Sequence, residues 1–202
     1  MYRAKERGRG RYEFFDADTR ADAVARLDTE LALRSAIEED GFYVVYQPEV
    51  SLATGEAVGV EALARWDHER YGLVGPAEFI PVAEETGLIA SIGAFVLEEA
   101  CRRAGRLGAW RDEPLTMAVN LSRAQLADPH LPRTVRQALA AGGIDPSVLC
   151  LEVTETVLLD DPDSAARALE ALAALGVSLA IDDFGKGSSS LAYLKRFPVS
   201  LL

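Results

Sequence analysis

Short apolar runs recur along this chain, and stretches with helical spacing fill the gaps between them. Residues 42–46, 58–63, 116–119, 148–153 and 177–181 are rich in β-branched, aromatic or aliphatic side chains and read as strands. Gln47-Pro48 closes the first run, and a Thr54-Gly55 turn leads into the second. Between residues 91 and 107, Ile92, Phe95, Val96, Ala100, Ala104 and Leu107 recur at helical spacing. Ala165, Ala168, Leu169, Leu172 and Leu175 mark one face of another helix, with Gly176 where its carboxy-terminal cap belongs. Strands alternating with helices at intervals of about thirty residues predict βα units and a parallel sheet, so the expected class is α/β.

What ends the strands narrows the reading further. Val58-Gly59-Val60 runs into Glu61, Met117-Ala118-Val119 into Asn120, Leu149-Cys150-Leu151 into Glu152, and Leu179-Ala180-Ile181 into Asp182-Asp183. Parallel strands point the same way, so their carboxy-terminal ends gather on one side of a barrel or an open α/β sheet. Carboxylates gathered there repel one another unless some hold protons or a cation sits among them. Oxygen donors without histidine suit Mg²⁺ or Mn²⁺ better than Zn²⁺. Each position also has a plainer reading. Asn120 shapes the turn before Ser122-Arg123-Ala124-Gln125, which matches a capping box; Asp182-Asp183 caps a helix or makes a turn; Glu61 and Glu152 are water-facing rim residues. The recurrence of the pattern in four separate runs favours the metal site.

Composition supplies the exclusions. The 202 residues are 49% hydrophobic with a formal net charge of −11, enough apolar material for a core and a poor match to a polyanionic backbone. No stretch approaches the roughly 20 apolar residues of a membrane span, and no secretory leader is recognisable at the start, so a cytoplasmic setting is expected. Cys101 and Cys150 are too few for a disulfide framework and read as reduced thiols. Arg3, Lys5, Arg7, Arg9 and Arg11 make the first residues basic, either as a nucleic-acid arm or as the end of a helix stopped by Gly8 and Gly10. Tyr12-Glu13-Phe14-Phe15 reads as a short strand, and residues 16–26 as a polar, Ala-rich linker turning into a helix. Phe184-Gly185-Lys186-Gly187-Ser188-Ser189-Ser190 lacks the spacing of a nucleotide-triphosphate loop. It fits a mobile loop beside the metal site. His68 and His130 read as loop residues, and Trp66 and Trp110 as packing groups.

Glu61-Ala62-Leu63 with Arg65-Trp66 resembles the signature of the EAL family, phosphodiesterases that hydrolyse cyclic di-GMP. The resemblance continues through Tyr46-Gln47-Pro48, Phe79-Ile80-Pro81-Val82-Ala83-Glu84, Asn120-Leu121-Ser122, Glu152-Val153-Thr154-Glu155 and Asp182-Asp183-Phe184-Gly185, and covers residues 27–202. Residues 1–15 resemble the last helix and strand of a GGDEF diguanylate cyclase domain. The resemblance implies a TIM-like (β/α)₈ barrel of the EAL type, of which about the first five to six strands are present. It also implies cleavage of cyclic di-GMP to linear pGpG in bacterial second-messenger signalling. By the same resemblance Glu61, Asn120, Glu152 and Asp182 are metal ligands, with Asp183 serving a second Mg²⁺ or Mn²⁺ ion. Glu61, Asp182, Asp183 and Glu155 are the catalytic set, with Glu155 steadying the loop at 184–190. Arg65 grips a substrate phosphate, while Gln47 and Leu63 line the substrate groove. Lys186 and Ser188 depart from the family's usual loop and imply altered loop dynamics.

A complete barrel of this kind takes about 250 residues, and residues 199–202 fall in what the resemblance makes the sixth strand. In the family a lysine near the attacking water, a further metal-site glutamate and a groove glutamine come later. The expectation is therefore that these 202 residues alone release no pGpG. A receptor that binds cyclic di-GMP without cutting it, and a fragment without function, are the alternatives. Expected partners are cyclic di-GMP, a covalently linked GGDEF domain and a second copy through the loop region. Neither a nucleic-acid polymer nor a membrane is expected to contact this segment.

Overall fold

A computed structural model describes residues 17–68, 70–108, 115–185 and 196–201, with side chains from residue 26 onward. The basic segment and short strand expected over 1–15, Trp110, and loop residues Lys186 to Ser190 lie outside the described residues. The backbone is helical from Ala17, so the stretch read as a linker belongs to helix α1 (Ala17–Glu38). Strand β1 (Phe42–Val50), β2 (Ala57–His68) and the short β3 (Gly72–Val74) follow, then helices α2 (Pro76–Thr86) and α3 (Ile89–Gly108). After them come β4 (Thr116–Asn120), α4 (Arg123–Leu126), α5 (Leu131–Gly142), a 3₁₀ turn (Pro146–Val148) and β5 (Leu149–Thr154). Helices α6 (Glu155–Asp160) and α7 (Pro162–Ala173) lead to β6 (Ser178–Asp182).

The main strands lie in the order β1-β2-β4-β5-β6, with β3 paired to β2. The pairs β2–β4, β4–β5 and β5–β6 are parallel, as the βα alternation predicts. Strand β1 departs from it. It runs antiparallel to β2, because only a short hairpin joins the two and a parallel pair needs a long crossover. Nor does Gln47-Pro48 end β1, which continues to Val50. Proline is tolerated there because β1 is the outermost strand of the ordered path, where one row of its amides has no ladder partner. Leu201 forms a parallel bridge with Ala180, so the chain returns to the sheet beside β6.

Period-two alternation divides the sheet cleanly. One face carries Phe42, Val60, Ala62, Trp66, Met117, Val119, Leu149, Leu151, Val153, Leu179 and Ile181, all buried against the helices. Helix α3 supplies Ile92, Val96, Leu97 and Ala100 to that core, and α7 supplies Ala165, Leu169 and Leu172. Phe95, placed on the apolar face by its spacing, is instead 37% exposed at the stripe's margin. Among the described residues the opposite face has only Ala118, Cys150 and Ala180 as a small buried cluster. Small side chains at that level leave the face open to the polar residues at the strand ends. Burial pushes both cysteine thiols up to about 12, with Glu152 and Glu49 adding to the effect at Cys150, so both stay protonated near neutrality.

Trp66 packs in the core as expected, stacked on Phe42 with ring centroids 6.1 Å apart and edge-on to Phe79. His68 is not a solvated loop residue. It is the last residue of β2, half-buried, with its ring 4.8 Å from Trp66 and 4.7 Å from Tyr71. The antiparallel β2–β3 pairing prolongs β2 past the position where the sequence pattern ends it, which brings His68 into the aromatic group. His130 is exposed and precedes α5, in keeping with a loop residue.

Candidate active site

Strand register decides which side chains meet. Residues paired side by side share a face, as do residues two apart on one strand. Gln47 lies opposite Glu61, Val45 opposite Leu63, and Tyr43 opposite Arg65. Glu61 stands beside Ala118, two residues before Asn120; Asn120 stands beside Glu152, and Thr154 beside Asp182. Gln47, Glu61, Leu63, Arg65, Asn120, Glu152 and Asp182 are thus all on the open face, although they come from five separate strands. Glu61 lies inside β2 and not at its end, because β2 runs on to pair with β3. In register it lies one same-face position below Asn120, close enough for direct contact with it.

Direct contacts support this placement. Asn120 Nδ2 donates to Glu61 Oε1 at 2.6 Å across the β2–β4 ladder, so the contact uses the amide nitrogen and not the oxygen that could ligate a cation. Glu152 is half-buried, and burial together with the charges of Glu61, Glu49 and Asp182 pushes its carboxyl up to about 7. A carboxyl beset in this way gains from a proton or a cation. Glu49, which sequence reasoning missed, lies two residues beyond Gln47 on the same face, opposite Gly59. Burial and the charge of Glu61 raise its carboxyl as well. The alternation along β1 was the signal that could have found it.

Asp182 Oδ1 accepts from the backbone N–H of Asp183 at 2.7 Å, and Asp183 takes a left-handed backbone with φ of 57°. The turn reading of this pair is therefore correct as local structure, and it coexists with the position of Asp182 on the open face. The turn carries the chain to Gly185, whose N–H donates to Glu155 Oε2 at 2.8 Å. Glu155 is the first residue of α6 and only 4% exposed, and its other oxygen has no hydrogen-bond partner among the described residues. Nearby, the Ser122–Gln125 capping box forms as its sequence predicts, with Ser122 Oγ accepting from Gln125 N and Gln125 Oε1 from Ser122 N. Arg65 is half-buried, and its guanidinium donates to the carbonyl of Ala64 at 2.8 Å. It pairs with no carboxylate among the described residues.

A cleft of about 340 Å³ lies between the helix-facing side of the sheet and helices α2 and α3, lined there by Ala62, Ala64, Ile89 and Val96. Of the predicted site residues, only Leu63 and Asn120 reach it among the described residues. Asn120, Thr154 and Arg123 meet the apolar side chains of Leu63, Phe79 and Ile92 in its lining. Among the described residues no three His, Cys, Asp or Glu side chains stand close enough together to hold a metal ion as they are placed. The donor chemistry fits one nonetheless: every candidate atom is a carboxylate or amide oxygen, and the carboxylates repel in its absence. No helix among the described residues is long and apolar enough to cross a membrane.

Comparison with known proteins bears on the family. The chain is 46% identical over its full length to the bifunctional diguanylate cyclase/cyclic di-GMP phosphodiesterase MucR of Pseudomonas aeruginosa, of which it covers 30%. It is 42% identical, again over its full length, to the cyclic di-GMP phosphodiesterase NbdA of the same organism, of which it covers 26%. It therefore spans less than a third of either relative. Among solved structures, the PaMucR phosphodiesterase in complex with c-di-GMP superposes with a TM-score of 0.82 at 46% identity, over 86% of this chain and 71% of that one. The FimX EAL domain of Pseudomonas aeruginosa bound to c-di-GMP gives 0.77 at 28% identity, over 86% of this chain and 70% of that one. The EAL domain model matches residues 30–202. With that match, a mixed sheet of the EAL type and the family's motifs on one face of it, the chain belongs to the EAL domain family.

Proposed function

We propose that this domain hydrolyses one phosphodiester of cyclic di-GMP to give pGpG. The observation that carries the reading is the placement of Glu61, Asn120, Glu152 and Asp182 on the open face, with Asn120 in direct contact with Glu61. Two relatives alike over the full length of the chain are named as cyclic di-GMP phosphodiesterases. Both are far longer than this chain.

In this reading Glu61, Asn120, Glu152 and Asp182 hold one Mg²⁺ or Mn²⁺ ion, and Asp183 serves a second. Such ions supply a nucleophile at neutral pH and neutralise charge developing on the phosphate. The chain's own groups do the rest. Arg65 carries a planar fork of donors that suits two phosphate oxygens at once, and among the described residues it is not committed to a carboxylate partner. Gln47 and Leu63 lie on the same face to either side of Glu61 and border the nucleotide. Glu155 holds the start of the 184–190 loop through Gly185. Residues 1–15 are read as the end of a diguanylate cyclase domain, in line with the bifunctional name of a relative that matches the whole chain.

Binding is measured on these 202 residues by calorimetry with cyclic di-GMP, and cleavage on a chain continuing through the remaining family motifs. Binding here, with Mg²⁺-dependent pGpG release that Glu61→Ala abolishes, is the expected result. Binding with no cleavage in the longer chain would make the domain a receptor. Absence of both would contradict the proposal.

A further inference from the structure

We propose that Glu49 is a positioning residue that strengthens divalent-cation binding at the Glu61–Glu152 end of the site, from a place beneath the ligands and without ligating the ion. The inference rests on the metal reading above and goes beyond it, since no motif of the resemblance includes this residue.

Geometry comes first. The β1–β2 register shifts between Glu49 and Val50, so that Glu49 lies opposite Gly59 while Val50 lies opposite Ala57. The register is regular up to the Glu49–Gly59 pair, and alternation turns Glu49 to the open face. Its carboxylate lies over the backbone of Gly59, where a methyl group would collide with Glu49 Oε2 and come within 3.1 Å of the Thr116 carbonyl oxygen. Gly59 thus keeps open the space that the carboxylate fills. Gln47 and Glu61 share that face, so Glu49 sits one side-chain level below Glu61.

Charge comes second. Among the described residues no lysine, arginine or backbone donor pairs with Glu49, and its electrostatic neighbours are Glu61, Glu152 and Cys150. A half-buried carboxylate facing two others costs stability in the absence of a cation. The same field attracts a divalent ion, and at the low effective dielectric of a protein cleft one such charge changes affinity by about tenfold. A purely structural group would give no such trade between stability and affinity.

The test is Mn²⁺ affinity by calorimetry, with thermal melting in the absence of the ion. Glu49→Gln keeps the shape and removes the charge, Glu49→Asp keeps the charge, and Glu56→Gln removes an exposed charge elsewhere on the same hairpin. Glu49→Gln is expected to bind Mn²⁺ about tenfold more weakly and to melt a few degrees higher without the ion. Glu49→Asp should recover most of the affinity, and Glu56→Gln should match the parent. If the parent binds Mn²⁺ and Glu49→Gln binds it within about twofold, the inference is overturned while the metal reading stands. Loss of both affinity and melting temperature would assign Glu49 a structural role and also overturn it. No binding by the parent would overturn the metal reading and the inference with it.

Discussion

Glu155 and Gly185, thirty residues apart in sequence, are joined by a 2.8 Å hydrogen bond from the Gly185 amide to Glu155 Oε2. Through it a buried carboxylate at the start of α6 anchors the segment that leaves β6 next to Asp182 and Asp183. One carboxylate oxygen is occupied in this way and the other is buried without a partner among the described residues.

Glu155→Ala removes the only acceptor seen for the Gly185 amide among the described residues. Hydrogen exchange at Gly185 should accelerate by about tenfold, the equivalent of one ordinary hydrogen bond. Exchange in β4 and β5 should stay unchanged. Equal protection at Gly185 in both proteins would show that something else holds the segment.

Arg65→Ala should weaken cyclic di-GMP affinity by about 10–100-fold, the range for losing charge-assisted hydrogen bonds to phosphate. Its guanidinium donates only to a neighbouring carbonyl among the described residues, so Mn²⁺ affinity should change little. Parallel calorimetric titrations with nucleotide and with ion separate the two effects.

The raised carboxyl of Glu152 sets a pH dependence. Its ordinary value is 4.5 and the fold lifts it to about 7. Between those values the folded protein keeps a proton that the unfolded chain has lost, so stability falls as pH rises through this window and the cost is complete above it. Without divalent ions, melting temperature should therefore drop from pH 5 to pH 8, and Glu152→Gln should flatten that slope. An unchanged slope in the variant would place its origin elsewhere.

Packing at the back of the cleft gives a stability prediction. A methyl group on Gly93 of α3 would collide with the amide of Gln125, a buried side chain engaged in its capping box. Gly93→Ala should cost about 1–3 kcal/mol, the usual range for overpacking, read as a lower denaturant midpoint. No loss would mean that Gln125 moves aside without penalty.

Much of this fold was legible because two periods carry it. The alternation of βα units announced the parallel ladders from β2 to β6, and Ser122-Arg123-Ala124-Gln125 announced its own capping box. The antiparallel β1 was less legible. Strand patterning records which face is buried and not which way a strand runs, and Pro48 looks like a stop unless the strand is known to be outermost. Likewise the pattern could stop β2 near Glu61 but could not show the pairing with β3 that carries it to His68. The strand-end acids pointed to one face of the sheet without aid from its register. The alternation along β1 could have put Glu49 on the face of Gln47, but its nearness to Glu61 follows from the pairing opposite Gly59, which no single run of residues displays.

The central claim is that acidic groups from separate strands share a cation. Crystals soaked in Mn²⁺ and measured for anomalous scattering test it most directly. The account predicts a peak about 2.1 Å from oxygens of Glu61, Glu152 and Asp182, with Asn120 alongside, and its loss in Glu61→Ala. A peak elsewhere, or none on this face in a protein that binds Mn²⁺ in solution, would contradict it.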